Sequence, residues 1–434
     1  MNQTIKTRIE QIGRGEVPEG YKKTKVGIVP CDWGESKLKD ISTHVTRKNT
    51  DNSIHLTFTN SATQGVIKQT DYFDKEIANQ DNTSGYYIVE RNDYIYNPRI
   101  SVSAPCGPIN QSHFDEIGIV SPLYTVFKMK KGYEENRYFE FYFKSTHWYK
   151  YMHSVANYGA RHDRMNITND DLFGMPIPFP SIEEQERIAE ILGTQDKLIA
   201  LIEKRIAQKK QQKKYLMQQL LTGKKRLPGF TGEWKKFKMS EVLTERKEKK
   251  GARLLTICSV AVSEGVIDQV EHLGKCMAAA DTSNYNVVKY GDIVYTKSPT
   301  GAFPYGIVKQ SQLNEDVAVS PLYGVYYCEN YNMGYLLNEF FMYPKNTNDY
   351  LLPIINKGAK NTINISNTIF LTPCLYLPQD DKEIEKLSTL FTCCNLEIER
   401  LQKDLEEEKN KKKALMQLLL TGIVRTEKLK GEII

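Results

Sequence analysis

Four short segments of the chain carry the side chains that are best suited to bind a polyanion. Residues 96–99 and 295–298 each include a tyrosine and a cation, and residues 159–166 and 358–364 each begin with Gly-Ala. Cations neutralise phosphates, and Arg, Asn and Gln forks bond to base edges. The alternative for each segment is a solvated turn or a surface charge at a strand end. The candidate contacts are Tyr96, Asn97, Arg99, Arg161, His162, Arg164, Asn166, Tyr295, Lys297, Lys360, Asn361 and Asn364.

Motifs for catalysis are missing from the same sequence. It has no GxxxxGK[ST] phosphate loop, and no GxGxxG motif opens a helix. Asn97 and Pro98 begin like the Asn-Pro-Pro-aromatic motif of amino-methyltransferases, but Arg99 and Ile100 replace its last two residues. The seven His residues show no HExxH and no other metal-ligand spacing. We therefore expect a chain without catalytic residues, metal or cofactor; a loosely spaced nuclease core of carboxylates and a lysine is the alternative.

The overall composition is that of a globular, mildly basic protein. Its 434 residues include 59 Lys and Arg against 53 Asp and Glu, so the formal net charge is +6, which suits a local anionic partner. No apolar run approaches the roughly 18 residues of a membrane span, and the N-terminus has no apolar signal region. The eight Cys form no CxxC pair. These features predict a cytoplasmic protein with reduced cysteines and roughly two to four domains.

The chain contains an internal repeat with an offset of 199 residues. Residues 213–223 and 412–422 are identical at nine of eleven positions. The other matches are 93–96 with 292–295, 120–124 with 319–323, 159–161 with 358–360 and, at an offset of 200, 65–67 with 265–267. Five matches in the same order predict two copies of one structural unit.

Each copy is expected to combine a globule of about 140 residues with one long helix. Residues 86–89, 123–127 and 323–327 are typical of strands, and residues 135–152 of a helix. The first long helix should start at Ser181, at capping-box spacing from Glu184, and stop at Gly223. The predicted fold class is α+β, with mixed α/β globules separated by long helices. The predicted parts are an N-terminal segment 1–30, globule 31–180, helix 181–223, globule 224–377, helix 378–422 and tail 423–434.

Both long helices have an apolar 4-3 rhythm that is typical of a coiled-coil seam and turns polar at the same two places. We favour an antiparallel coiled coil with a pseudo-twofold axis, a rod of roughly 60 Å at 1.5 Å per residue. The alternative is that each helix packs only on its own globule. The seam residues are Ile188, Leu192, Ile199, Ile202, Ile206, Leu216, Leu220, Leu387, Phe391, Ile398, Leu401, Leu405, Leu415 and Leu419.

Two further features of the first helix have an open interpretation. A second apolar line, formed by Ile191, Leu198, Leu201, Met217 and Leu221, indicates either a protein interface or burial against the globules. The four lysines within residues 209–214 are either a solvated helix face or a phosphate-binding face.

The whole chain resembles the specificity subunit of a type I restriction-modification system. The resemblance rests on the tandem layout, on the Leu-Leu-Thr-Gly helix ends at 220–223 and 419–422, and on a Pro-rich stretch followed by residues 182–188, Ile-Glu-Glu-Gln-Glu-Arg-Ile. The starts of the two globules also match, at residues 27–33 and 227–234. One departure is the start of the second helix, residues 378–384, which lacks the Glu-Gln pair.

This resemblance implies that each globule is a target recognition domain that reads one half of a bipartite, asymmetric DNA site. It also implies that the helices dock two methyltransferase subunits, which carry S-adenosylmethionine, and that two nuclease/translocase subunits, which use ATP and Mg, join them. Half-sites on one face of DNA lie roughly 34 Å apart, which a rod of that length can span.

Two other functions remain alternatives to the DNA-specificity subunit. One is the DNA-reading half of a self-contained restriction or modification enzyme, and the other is a coiled-coil scaffold that joins two modules with no affinity for DNA. The repeat also predicts that the N-terminal 30 residues pack against the end of the C-terminal helix, because residues 20–30 occupy the place that 224–229 hold before the second globule.

Overall fold

The computed structural model describes residues 3–25, 27–72, 83–156, 163–275, 278–357 and 363–426. The chain divides into two compact units: unit 1 is Met1–Leu201 with Leu405–Ile434, and unit 2 is Ile202–Asp404. Both are mixed α/β units with apolar cores of their own. Among the described helices, none has the length and apolar character that a bilayer crossing requires.

Unit 1 consists mainly of short strands and short helices. Its helices, apart from the long ones, are α1 (Gln3–Gly13), α2 (Leu38–Ile41), α3 (Gln69–Tyr72), α4 (Arg137–Lys144), α5 (Tyr149–Val155) and α6 (Asn169–Phe173). Its strands are β1 (Tyr21–Lys23), β2 (Ile28–Pro30), β3 (Gly34–Lys37), β4 (Ser42–Val45), β5 (Phe58–Ser61), β6 (Gly65–Lys68), β7 (Tyr87–Val89), β8 (Tyr94–Tyr96), β9 (Ile109–Gln111), β10 (Gly118–Val120), β11 (Thr125–Met129) and β12 (Pro176–Phe179).

A four-stranded antiparallel sheet in the order β4-β11-β8-β9 forms the centre of unit 1. Successive side chains of a strand point to opposite faces, and here both faces are covered. Tyr94 and Phe127 pack on one face in the core that includes α4, whereas Ile95 and Val126 pack on the other with Val89 of β7. Strand β8 is therefore buried along its whole length.

Unit 2 repeats this arrangement with different residues. Its short helices are α8 (Gln269–Leu273), α9 (Tyr331–Phe341), α10 (Pro344–Leu351) and α11 (Asn367–Phe370), with 3-10 turns at Met239–Glu241 and Leu352–Ile354. Its strands are β13 (Lys235–Lys238), β14 (Thr244–Glu245), β15 (Ile257–Ala261), β16 (Gly265–Asp268), β17 (Asn286–Val288), β18 (Ile293–Thr296), β19 (Ile307–Gln310), β20 (Val317–Val319), β21 (Gly324–Tyr327), β22 (Asn356–Lys357), β23 (Ile363–Asn364) and β24 (Cys374–Leu377).

The central sheet of unit 2 has the order β14-β21-β18-β19, which matches the sheet of unit 1 strand for strand. Tyr295 and Tyr326 face one core, and Val294 and Val325 face another, in which the sheet β16-β15-β20-β17 packs. Two units that share only short islands of sequence thus build the same sheet, and one island covers the buried strands β8 and β18.

The long helices are α7 (Ile182–Leu220) and α12 (Asp381–Leu419), and each contributes to both units. The Ser181 hydroxyl accepts a hydrogen bond from the Glu184 amide at 3.3 Å, which supplies half of the predicted capping box. Glu184 does not complete the box, because its carboxylate bonds elsewhere. After each helix a glycine, Gly223 or Gly422, adopts a φ near +70°, the left-handed conformation expected at a helix stop.

The helix expected over residues 135–152 is two helices, α4 and α5, so this prediction is wrong in its continuity. Ser145 ends α4, and its hydroxyl donates to the Tyr142 carbonyl at 2.6 Å. The indole Nε1 of Trp148 donates to the Phe143 carbonyl at 3.0 Å, which fixes the turn between the helices. Trp148 is fully buried, and Tyr149 and Tyr151 pack against the same core.

All fourteen seam residues are buried or half-buried. In unit 1, Ile188, Leu192 and Leu419 belong to the core of the globule, and in unit 2 Leu220, Leu387 and Phe391 do so. The ends of the predicted seam therefore also pack on the globules, which was the alternative considered from the sequence.

Candidate nucleic-acid interface

In unit 1 a firmly anchored loop follows strand β8. The buried Tyr96 hydroxyl donates to the Cys106 carbonyl at 3.1 Å, and the Asn97 amide donates to the Pro108 carbonyl at 3.0 Å. Gly107 has φ +77°, and a Cβ there would lie 2.1 Å from the Asn97 carbonyl oxygen, so no other residue fits. Residues 99–103 between these anchors are exposed. We call residues 99–104 tip loop 1.

The corresponding loop of unit 2 has the same anchors. The Tyr295 hydroxyl donates to the Tyr305 carbonyl at 2.8 Å, and a Cβ on Gly306 would lie 2.0 Å from the Thr296 carbonyl oxygen. Residues 298–302 are exposed and Phe303 is buried, as Ala104 is in unit 1. We call residues 298–303 tip loop 2.

Two candidate segments of unit 1 meet at tip loop 1. Arg99 and Arg164 form an isolated antiparallel bridge, the Met165 amide donates to the Pro98 carbonyl at 2.8 Å, and the Ile100 amide donates to the Asp163 carbonyl at 3.1 Å. Arg99 is exposed, and the described residues offer its side chain no acidic partner. The Arg164 side chain is 25% exposed, and its guanidinium lies 3.7 Å from the Asp163 carboxylate. Two cations therefore stand side by side on one surface, next to the exposed Asn166.

The unit 2 candidates are more dispersed within the described residues. Lys297 is half-buried beside tip loop 2, and burial lowers the pKa of its amine. Asn364 lies in β23, whose register pairs it with Asn356. Arg161, His162, Lys360 and Asn361 fall outside the described residues, so their assignment as contacts stays a prediction.

Three candidates belong to the protein interior, which corrects their assignment as direct contacts. Tyr96 and Tyr295 are buried in the cores, and burial raises the pKa of both hydroxyls. Asn97 is also buried; its side chain donates to the Asn60 carbonyl and accepts from the Arg99 amide, each at 3.0 Å. These residues position the loop, because a strand that is buried on both faces has no side chain free for a ligand.

Sequence reasoning missed a charge cluster around the buried Glu184, which unit 1 builds from three distant segments. Glu184, at the start of α7, accepts from the Trp33 indole at 2.9 Å and from two nitrogens of Arg425, both at 2.9 Å. Arg425 follows α12 and also binds Asp32 through two nitrogens at 2.9 and 2.7 Å. The hydrogen bond to Glu184, followed by that to Asp32, raises the pKa of Arg425 and holds the cation charged.

Unit 2 contains the same cluster at the repeat offset. Glu383 accepts from Arg226 at 2.7 and 2.6 Å and from the Trp234 indole at 3.2 Å. Both Glu383 and Arg226 lie 199 positions before or after their unit 1 counterparts. The second helix thus keeps the glutamate that matters, although it lacks the Glu-Gln pair. The offset alone would have identified these residues.

The N-terminal segment packs against the end of the C-terminal helix, as predicted. The Tyr21 hydroxyl donates to the Gly422 carbonyl at 2.7 Å, and Arg8 donates to the Ile423 carbonyl. A Cβ on Gly422 would overlap Pro30, so glycine allows this close approach. Residues 427–434 of the predicted tail lie outside the described residues.

The polar positions of the helices also correspond between units. In unit 1, Lys412 of α12 pairs with Asp196 of α7. In unit 2, Lys213 of α7 donates to the Asn395 side chain at 2.5 Å and pairs with Glu339 at 2.6 Å. Lys213 is therefore not part of a freely solvated face.

The second apolar line of α7 is divided between two environments. Met217 and Leu221 are buried in the core of unit 2, and Ile191 packs against the core of unit 1. Leu198 and Leu201 are 39% and 63% exposed. The line is thus not one continuous interface. Within the described residues, no group of three or more His, Cys, Asp or Glu side chains is arranged to hold a metal ion.

Comparison with known proteins agrees with this geometry. Residues 30–211 match the family described as "Type I restriction modification DNA specificity domain". A "Putative type I restriction enzyme MjaX specificity subunit" of Methanocaldococcus jannaschii is 27% identical over 242 residues, 52% of this chain and 52% of that protein. The "Type I restriction enzyme MjaVIII specificity subunit" of the same organism is 26% identical over 279 residues, 58% of this chain and 63% of that protein. The chain thus spans between half and two thirds of these relatives.

Solved structures share the fold. A chain from "Structural basis underlying complex assembly and conformational transition of the type I R-M system" has a TM-score of 0.55 and 13% identity, covering 91% of this chain and 99% of that one. The type I restriction-modification S subunit from M. genitalium has a TM-score of 0.51 and 11% identity, covering 89% and 96%. Residues 30–211 thus match a type I restriction-modification DNA specificity domain, and the chain is similar to type I specificity subunits in sequence.

Proposed function

We propose that this chain reads double-stranded DNA as a bipartite, asymmetric target, with one half-site for each unit. The observation that carries the proposal is the pair of tip loops. They leave matching strands and share their tyrosine and glycine anchors, but their exposed residues differ at every position from 99 to 103. A common scaffold with different exposed side chains suits two readers of different sequences, and a single symmetric target would not require the difference.

The long helices are proposed to form an antiparallel coiled coil in a pseudo-twofold tandem repeat. Two pairs of matched contacts support this. Lys412 to Asp196 in unit 1 matches Lys213 to Asn395 in unit 2, and the two Trp-Glu-Arg clusters match each other. In unit 1, Gln195 donates to the Glu408 carbonyl at 3.1 Å, so residues earlier in α7 contact residues later in α12. In unit 2, Lys209 pairs with Glu397 at 2.8 Å and Arg226 with Glu383, in the same reversed order.

The partners that we propose are those implied by the resemblance to type I restriction-modification specificity subunits. We propose that the helices dock two methyltransferase subunits and, through them, two nuclease/translocase subunits. S-adenosylmethionine, ATP and Mg would then be bound by those partners. Leu198 and Leu201, at 39% and 63% exposure, are our candidates for part of the docking surface, because neighbouring exposed apolar side chains are typical of an interface.

Two measurements test the proposal. Binding of duplex DNA by the purified chain should weaken steeply with salt, because neutralised phosphates release counterions. Selection from random duplexes should return two different half-sites with a spacer. Binding that is indifferent to salt and sequence would favour a scaffold of other modules. Methyl transfer from labelled S-adenosylmethionine by the chain alone would favour a self-contained enzyme.

A further inference from the structure

Tip loop 1 presents an apolar side chain to solvent, where it buries no apolar surface and does not stabilise the fold. Val102 is fully exposed, and its neighbour Ile100 is 39% exposed. Such side chains are common singly on a surface. Here, however, they stand on a loop fixed at both ends and beside the cations Arg99 and Arg164.

The turn that carries Val102 is held by hydrogen bonds. Ser101 and Ala104 exchange backbone hydrogen bonds at 3.1 and 3.2 Å, and the Ser101 hydroxyl accepts from the Ala104 amide at 3.1 Å. Ala104 is buried, so the turn is attached to the globule. The Val102 side chain is therefore presented at low conformational cost, which favours its use in recognition.

Unit 2 gives the contrast at the same position. Thr300 and Phe303 exchange the equivalent hydrogen bonds at 3.1 and 2.8 Å, but Gly301 replaces Val102 and has no side chain. Gly301 has φ +47°, a conformation that valine adopts only with strain. The two loops thus differ in apolar character at this exposed position, where unit 1 has a valine side chain and unit 2 has none.

The major groove offers one apolar group to such a side chain, the C5-methyl of thymine. We propose that Val102 contacts a thymine methyl in the half-site read by unit 1, and that Arg99 and Arg164 bind the neighbouring phosphates or base edges. Unit 2 makes no equivalent contact through Gly301. This inference rests on the proposed function, because it assumes that unit 1 binds duplex DNA.

The test removes the methyl group and the valine separately. Each thymine of the selected half-sites is replaced by uracil in turn, and binding by the full chain is measured. Burying one methyl-sized group is worth about 0.8 kcal/mol, so one uracil should weaken binding by the wild-type chain about fourfold. The Val102→Ala variant should bind the thymine duplex about fourfold more weakly than wild type does, because the contact with the methyl group is lost. Replacing that thymine by uracil should then cause no further loss.

Two controls and two contrary outcomes complete the experiment. Val102→Ile should keep the sensitivity to uracil, and Leu254→Ala, which truncates an equally exposed side chain in unit 2, should leave the same position unaffected. If the ratio of affinities for the thymine and uracil duplexes is the same for wild type and Val102→Ala at every position, the inference is wrong. Binding that is salt-dependent and sequence-selective would still support the proposed function. If the wild-type chain shows no such binding, both fail.

Discussion

Arg99 and Arg164 lie opposite each other in an antiparallel bridge, although 65 residues separate them in the chain. The bridge connects the loop after a central strand with the segment before α6, so one surface combines two basic segments that look independent in the sequence. The Arg164 side chain is less exposed than that of Arg99, at 25%, and its Nε is buried without a described partner. A buried donor without an acceptor is costly, and a bound base or phosphate would supply one.

Replacing Arg164 by Ala should affect one half-site only. If the guanidinium forks onto a base, we expect a loss of about 1–3 kcal/mol and a relaxed preference at one position. If it binds a phosphate, affinity should fall by the same factor for all sequences. The slope of log affinity against log salt concentration should then correspond to about one fewer neutralised phosphate. Selection from random duplexes at two salt concentrations separates these results. Lys297→Ala in unit 2 is the matched control and should alter the other half-site; an unchanged profile for Arg164→Ala would make its segment a solvated turn.

Much of the architecture could be predicted because the repeat marks the residues that the fold needs. The offset of 199 finds the buried strands β8 and β18 and, at the helix ends, the buried Leu220 and Leu419. It could not show which tyrosines face a ligand. Tyrosine is a residue type that often binds ligands, but Tyr96 lies in β8, which is packed between two layers and buried throughout. The break between α4 and α5 was missed because apolar periodicity continues across it and only Ser145 and Trp148 mark the turn.

The site was predicted less completely, because its parts come from segments that are distant in sequence. Residues 99 and 164 were identified separately, and neither pattern indicates that they pair. Glu184 was noticed only for its capping-box spacing, whereas its carboxylate binds Trp33 and Arg425. Periodicity reports which face of an element is buried, but it carries no information on contacts between elements.

Breaking the charge cluster of unit 2 should destabilise that unit, because it would leave a partly buried cation without its anion. The Glu383 side chain is 1% exposed, and Glu383→Gln would leave Arg226 and Trp234 without their anion. Removing one partner of a buried ion pair typically costs roughly 3–5 kcal/mol, and the lower end is expected here because Arg226 is 22% exposed. Hydrogen exchange of unit 2 amides measures the change locally. Asp349→Asn, which breaks the exposed pair with Lys345, should change stability by less than about 1 kcal/mol. Equal effects of both substitutions would contradict the prediction.

Joining the chain termini by a flexible linker and opening the chain after Gly229 should preserve the fold and the DNA target. The N-terminal segment already contacts the end of α12 through Tyr21 and Gly422, so the new connection follows an existing contact. Gly229 has φ +90° and no atom near its Cβ position, which suits new termini. Circular dichroism and half-site selection check the result. If the parent folds and the permuted chain does not, the N-terminal contact is not sufficient to replace the original connection.

The matched carboxylates Asp93 and Asp292 should respond to substitution in opposite directions. In unit 2, Arg246 donates to Asp292 at 2.6 and 2.8 Å. In unit 1 the equivalent Arg47 binds Glu90 instead, at 2.8 Å, because unit 2 has Lys289 where unit 1 has this glutamate. Asp93 is left buried with one oxygen unpartnered, and burial raises the pKa of its carboxyl to about 6.

Because this pKa is higher in the folded state than the usual value near 3.9, the folded protein binds the proton more tightly than the unfolded chain. The contribution of Asp93 to stability is therefore full below about pH 4 and is lost as the pH rises through 6. Asp93→Asn keeps an acceptor for the Glu90 amide and should stabilise unit 1 at pH 8 by on the order of 2 kcal/mol, with little gain at pH 4. Asp292→Asn should destabilise unit 2 at pH 8, because Arg246 loses its partner. Urea unfolding followed by hydrogen exchange in each unit, at both pH values, measures the four changes. A loss of stability with Asp93→Asn at pH 8 would show that its charge is compensated in the folded protein.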